Sequence, residues 1–103
     1  VNLSPEAQPS KAQPYLPHYE VLEALGEGAV ATVYKVRHAR DGSVRALKSL
    51  KPEQAGTPQA VKRFEDEFRI LKRLHHPSLP EVFDYGITAD GARYIVMELV
   101  DGE

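Results

Sequence analysis

What stands on either side of Gly26 and Gly28 limits the folds open to this chain more than any other feature. The stretch reads Leu-Gly-Glu-Gly-Ala-Val-Ala-Thr-Val from Leu25 to Val33. Before it, Tyr19 to Gly26 reads as a strand. After it, Ala31 to His38 reads as a second, with Thr32, Val33, Tyr34 and Val36 of high β-propensity. Arg40-Asp41-Gly42-Ser43 is a turn, its Asp-Gly pair a strong hairpin signal, and Val44 to Leu50 is a third strand. Three antiparallel strands in a meander are the economical reading. The glycines let backbone N–H groups approach a ligand closely and permit φ > 0 at little steric cost. Such a turn can cover phosphates with its main chain, although short Gly-rich turns also close ordinary hairpins.

Two phosphate-binding folds fail on this context. A Walker-type P-loop ends in Gly-Lys-Ser/Thr, which is absent. A dinucleotide-binding turn tolerates Ala as its third small residue, so Gly26, Gly28 and Ala31 fit its spacing. That turn must open a helix within a βαβ unit, however, and here strand and hairpin follow.

Lys51 to Gly56 reads as a loop, after which Thr57 can cap a helix with Pro58 at its first position. Val61, Phe64, Phe68, Leu71 and His75 recur at helical spacing and form one face. Glu65 and Arg69 stand i, i+4 in the favourable order. Pro77 biases His76 away from helical geometry, so the helix ends near Leu74. Glu81 to Ile87 reads as a fourth strand, Ala89-Asp90-Gly91 as a turn, and Ala92 to Leu99 as a fifth strand. The nearly continuous apolar run of Tyr94, Ile95, Val96 and Met97 predicts burial on both faces of that strand. Residues 1–18 carry Pro5, Pro9, Pro14 and Pro17 among Ser, Gln, Asn and Ala, and read as a flexible Pro-rich leader; the domain starts near Tyr19 and runs over 19–103.

At 103 residues the chain holds one small domain, and 42% hydrophobic with 27% charged residues is ordinary for a soluble globular protein. A net charge of −2 gives no reason to expect nucleic acid or an acidic membrane surface as partner. The lack of cysteine excludes disulfides and thiolate metal sites and fits a cytoplasmic address. No apolar run reaches the roughly 20 residues of a membrane span, and no signal peptide is indicated. His75 and His76 invite a metal reading, but adjacent histidines at a helix exit are more often polar loop residues.

In order and spacing these elements resemble the N-terminal lobe of a protein kinase. Gly26, Gly28, Ala31 and Val33 match the Gly-x-Gly-x-x-Gly-x-Val loop, with Ala31 in place of the third glycine. Arg45-Ala46-Leu47-Lys48 is similar to the Val-Ala-Ile-Lys of the third strand. Residues 64–74, followed by His75-His76-Pro77, resemble the αC helix and its exit, and residues 94–100 the fifth strand entering the hinge. The resemblance covers Tyr19 to Glu103 and is closest to eukaryotic-like bacterial Ser/Thr kinases. It implies an α+β fold, a kinase-like N-lobe with a five-stranded antiparallel sheet and one αC-type helix.

The resemblance also assigns roles. Lys48 would contact the α- and β-phosphates of ATP and pair with Glu67, ten residues before Pro77. Glu67 lies about 80° from the centre of the apolar face, an edge position from which a carboxylate can reach a strand. The plainer readings are a solvated strand lysine, and a Glu67 held on the helix surface by Arg63 at i−4. Ala46 and Lys48, two apart on a strand, share a face: a small residue beside a flat base, an ammonium within reach of phosphates. Leu25, Val33 and Ala46 face a core in any version, and in the kinase version wall the adenine. Met97 is ordinary core, or by resemblance the gatekeeper at the back of the adenine pocket. Main-chain groups at Glu98 and Val100 would bind the base edge. Gly26, Glu27, Gly28, Ala29, Val30, Ala31, Thr32 and Val33 complete the nucleotide contacts. Ala31 is penalised only where φ > 0 is required, and Val30 is a small cover at the loop tip.

Kinase catalysis also needs the aspartate base of His-Arg-Asp and the metal-binding aspartate of Asp-Phe-Gly, and neither motif occurs here. His38-Ala39-Arg40-Asp41 is a chance echo in a hairpin turn. The chain reads as ending at the hinge. The expectation is an ATP-binding part of a Ser/Thr protein kinase that moves the γ-phosphoryl of Mg·ATP to protein hydroxyls, with Mg²⁺ ligands in the missing lobe. These 103 residues alone are expected to be inactive. The alternative is a non-catalytic nucleotide-binding or docking module. A chain of this size buries only about 60% of its unfolded surface, so the isolated lobe is expected to be weakly stable or to self-associate.

Overall fold

The structure, a computed structural model, describes residues 16, 18–74, 76–88 and 91–99. Five strands follow one another as β1 (Tyr19–Glu27), β2 (Ala31–His38), β3 (Val44–Leu50), β4 (Val82–Ile87) and β5 (Arg93–Met97), with helix α1 (Pro58–Arg73) between β3 and β4. They form one antiparallel sheet in the order β1-β2-β3-β5-β4. The meander of the first three strands is continuous, and β5 inserts beside β3, pairing Ala46 with Met97 and Lys48 with Ile95. Being internal to the sheet explains the apolar run of β5. Ile95 and Val96, both fully buried, point into different clusters on opposite faces.

The face bearing Ala31, Leu50, Val82 and Ile95 is covered by α1, which inserts Phe64 and lays Val61, Phe68 and Leu71 alongside. His75, assigned to the same helical face, lies outside the described residues. The opposite face carries Val36, Leu47 and Val96 with Tyr19, Tyr34 and Tyr94 around them. Leu16 is buried in this second cluster, and the Tyr19 N–H donates to its carbonyl. Packing therefore begins ahead of Tyr19, inside the segment that composition reads as leader.

Local chemistry explains the boundaries. At the β2–β3 turn Gly42 adopts φ 76°, a conformation costly for any other residue. The Ser43 N–H and hydroxyl both donate to Asp41, which holds that exposed carboxyl below its ordinary range. The segment read as a plain loop before α1 contains a short 3-10 turn, Pro52–Gln54. Thr57 occupies the N-cap of α1 with extended backbone, but its side chain makes no capping bond; its carbonyl accepts from Val61, and its N–H donates back to the Gln54 carbonyl. Pro58 at the first helical position leaves one fewer N–H to cap. His76, near the helix exit, closes a turn: its Nδ1 accepts from the Ser78 N–H.

Gly86 is fixed by a neighbour across the sheet. A Cβ there would collide with Cζ and the hydroxyl of Tyr94, its partner in the β4–β5 register. Gly86→Ala must displace that ring, which packs edge-on against Tyr19 at 6.4 Å. The expected cost is roughly 1–3 kcal/mol, read from a denaturation midpoint. With Tyr94→Ala already present the same change should cost nothing; an equal cost in both backgrounds would refute this account.

Candidate nucleotide site

The turn joining β1 to β2 is held from three directions. The Gly28 N–H donates to the Ala31 carbonyl at 2.9 Å, closing the turn, and the Lys51 N–H donates to the Val30 carbonyl at 2.8 Å. Lys51 Nζ lies 2.6 Å from a carboxylate oxygen of Glu27. Neither Gly26 nor Gly28 is among the glycines with positive φ, so their value here is space. Nothing lies within 4 Å of a Cβ built on Gly26, and on Gly28 it would meet only the Ala31 carbonyl at 3.7 Å. Because the Gly28 N–H is spent within the turn, the amides left to meet an anion are those at the tip. Ala29 and Val30 donate to no protein acceptor among the described residues.

Ala31, where the loop pattern has its third glycine, starts β2 and is buried in the cluster beneath α1. Its methyl therefore packs into the core. Val30 at the tip is 39% exposed.

Beneath the turn, Lys48 on β3 points toward α1. Its Nζ donates to both Oε1 and Oε2 of Glu67, each at 2.9 Å. Both side chains are part-buried, at 28% and 41% exposure. Glu67 thus turns inward to the sheet, and no ion pair with Arg63 forms. The pair lines a cavity of about 810 Å³, roofed by Gly26 to Ala31 and walled by Val33, Phe64 and the first turns of α1. Gln54, Thr57, Gln59, Ala60 and Arg63 also line it, and sequence reasoning missed them. Their signal was position: they fall on the segment leading into α1 and on its first two turns, opposite the glycine turn.

Of the adenine-wall candidates only Val33 lines this cavity; Leu25, Ala46 and Met97 do not. Ala46 and Met97 are register partners on adjacent strands, two residue pairs away from Lys48 and Ile95. Ala46 is buried and Met97 packs on the core beneath α1. Glu98 follows Met97; its N–H donates to the Glu81 carbonyl at 2.7 Å, so what it can offer a base edge is its carbonyl. Thr32 pairs with Glu27 and Ser49 and does not line the cavity. Leu25 corrects the expectation of a core-facing residue. It is 45% exposed, because β1 is an edge strand whose register slips between Ala24 and Gly26. Val33 is half-buried, and Val100 lies outside the described residues.

Glu65 forms its predicted i, i+4 pair with Arg69, at 3.9 Å, while the other guanidinium nitrogen of Arg69 bonds Asp66 more closely, at 2.7 Å. Glu65 Oε2 accepts from Arg93 on β5 at 3.0 Å and from the Tyr85 hydroxyl on β4 at 3.3 Å.

A glycine turn between antiparallel strands, over a third-strand lysine bound to a helix glutamate, defines the N-terminal lobe of the protein kinase class. Comparison with known proteins gives the same family. The protein kinase domain matches residues 19–103, and the chain belongs to that family. It is 39% identical over 85 residues to the probable serine/threonine-protein kinase CPE1738 of Clostridium perfringens, covering 82% of this chain and 12% of that protein. It is 35% identical over 85 residues to the probable serine/threonine-protein kinase YbdM of Bacillus subtilis, covering 33% of that protein. The crystal structure of a mutant Mycobacterium tuberculosis PknI kinase domain superposes with a TM-score of 0.69 at 36% identity, covering 93% of this chain and 38% of that one. The chain therefore spans a third or less of these two curated relatives. Among the described residues no helix is long and apolar enough to cross a membrane.

Proposed function

We propose that this lobe holds Mg·ATP for a Ser/Thr protein kinase that transfers the γ-phosphoryl to protein hydroxyls. The observation that carries the reading is the two-pronged contact of Lys48 with Glu67 inside the cavity under the glycine turn. The residues fit a triphosphate: an ammonium held by a carboxylate, two unspent amides at the turn tip, and open space above Gly26. In this reading Glu67 fixes the direction of Lys48, and Lys48 meets the α- and β-phosphates. The tip amides of Ala29 and Val30 cover the phosphate chain. Leu25, Val33, Ala46 and Met97 bracket the base, the Glu98 carbonyl accepts from its amino group, and Val100 completes the edge by family resemblance.

Bound Mg·ATP supplies the phosphoryl group and its charge neutralisation. The metal ligands and the base that accepts the substrate's hydroxyl proton would come from residues outside these 103. The fold works in the cytoplasm in this reading, where ATP is available. The test is to incubate the intact protein with γ-labelled Mg·ATP and a general protein substrate, and to measure nucleotide binding alongside. Transfer to serine or threonine is expected. Binding without transfer would overturn the kinase reading in favour of a nucleotide-binding or docking module.

A further inference from the structure

Helix α1 is attached to the sheet by an apolar stripe with a polar contact on each side. Glu67, on one side, reaches Lys48. Glu65, two residues earlier, lies about 200° away around the helix axis and about 3 Å along it. It is bonded by Arg93 from the start of β5 and by the Tyr85 hydroxyl from β4. Arg93 also lies 3.4 Å from the Tyr85 hydroxyl, so the three groups close a triangle. Below it, the Tyr85 ring packs at 6.2 Å from Phe64 and 5.1 Å from Phe68. Both charged groups are partly withdrawn from water, Arg93 at 25% exposure and Glu65 at 33%. Guanidinium geometry suits such a site, since a fixed fork can hold a carboxylate and a phenol together.

The consequence is rotational. An apolar stripe tolerates rolling of the helix, because dispersion contacts are non-directional. A directed bond on the side away from Lys48 does not. Rolling α1 to lengthen the Arg93–Glu65 bond carries Glu67 away from Lys48, since both carboxylates are fixed to the same helix. Arg69 also pairs with Glu65, at 3.9 Å, but it stands on α1 itself and so turns with the helix, leaving Arg93 and Tyr85 as the bonds from Glu65 to the sheet.

We infer that Arg93, with Tyr85, is a positioning residue that sets the rotation of α1 and so keeps Glu67 against Lys48. This rests on the proposed role of the Lys48–Glu67 pair in holding nucleotide.

The test is a mutant cycle on kcat and KM for ATP in the intact kinase. Arg93→Met is expected to lower kcat about tenfold, within the range of coupling between residues of one network. Arg93→Lys, which keeps the charge, should retain activity to within about threefold. In a Glu67→Gln background, where there is no carboxylate left to position, Arg93→Met should change kcat less than about twofold. Glu65→Gln, which removes the ion pair but keeps the side-chain shape, should behave as Arg93→Met does and carries the test if Arg93→Met does not fold. A loss of equal size in both backgrounds would reduce Arg93 to a structural role and overturn the inference, as would unchanged kcat in Arg93→Met. Full activity of Lys48→Met would overturn the underlying reading instead, so the two failures are distinct.

Discussion

If the intact protein transfers phosphoryl groups as proposed, Lys48→Met in it is expected to lower kcat on the order of 10²- to 10³-fold, with the fold unchanged. The size follows from what the substitution removes. A charged donor aimed in advance at the place where charge develops is worth that much when one such donor is deleted from an active site. The structure shows the preparation: Lys48 Nζ is bonded to both Glu67 oxygens at 2.9 Å under the glycine turn. The fold should survive, since a partly exposed ion pair contributes only about 0–1 kcal/mol. Met also keeps the apolar stem of the lysine between Val33 and Ile95, its register partners on either side. Measuring kcat, KM for ATP and the thermal midpoint together separates the effects. Activity within about threefold of the parent would defeat the proposed role.

Contrasts between particular residues show what the chain reveals without coordinates. The strands flanking Gly26 and Gly28 were readable because β-branched residues and an Asp-Gly turn are local signals, and local signals suffice for a meander. Glu67 could be matched to Lys48 because a helix and a strand each repeat regularly, so a position at the edge of an apolar face indicates its direction. Glu65 could not be matched to Arg93 in the same way. The two are 28 residues apart and meet only because β5 inserts between β3 and β4. Sequence sees the i, i+4 partner Arg69 and cannot see that Asp66 competes for it more closely. Leu25 was misread for a related reason. Its apolar character predicts burial, but an edge strand with slipped register turns it outward. The state of the glycine amides was equally hidden, since whether the Gly28 N–H faces a ligand or closes its own turn depends on turn geometry.

Phe64→Ala is expected to destabilise the lobe by about 3–5 kcal/mol, the usual cost of emptying a buried phenylalanine site. Phe64 is the one buried side chain of α1, at 3% exposure, and sits in a single cluster with Ala31, Leu50, Val82 and Ile95. Those partners belong to β2, β3, β4 and β5, so one side chain ties the helix to four strands. Against a typical total stability of about 5–15 kcal/mol, the loss is a large fraction. It also acts on the site before global unfolding. Phe64 lines the candidate nucleotide cavity and precedes Glu67 by less than one turn, so a helix that settles into the void moves the carboxylate. Native-state hydrogen exchange on the β3 and β5 amides of the intact protein measures the stability term. Nucleotide affinity, measured where the variant is still folded, reads the displacement. Phe64→Leu, which refills most of the volume, should lose less than about 1.5 kcal/mol and keep its affinity. A Phe64→Ala protein that loses less than about 1 kcal/mol would show that α1 is held to the sheet mainly by its polar contacts, Lys48–Glu67 and Arg93–Glu65, and not by this core.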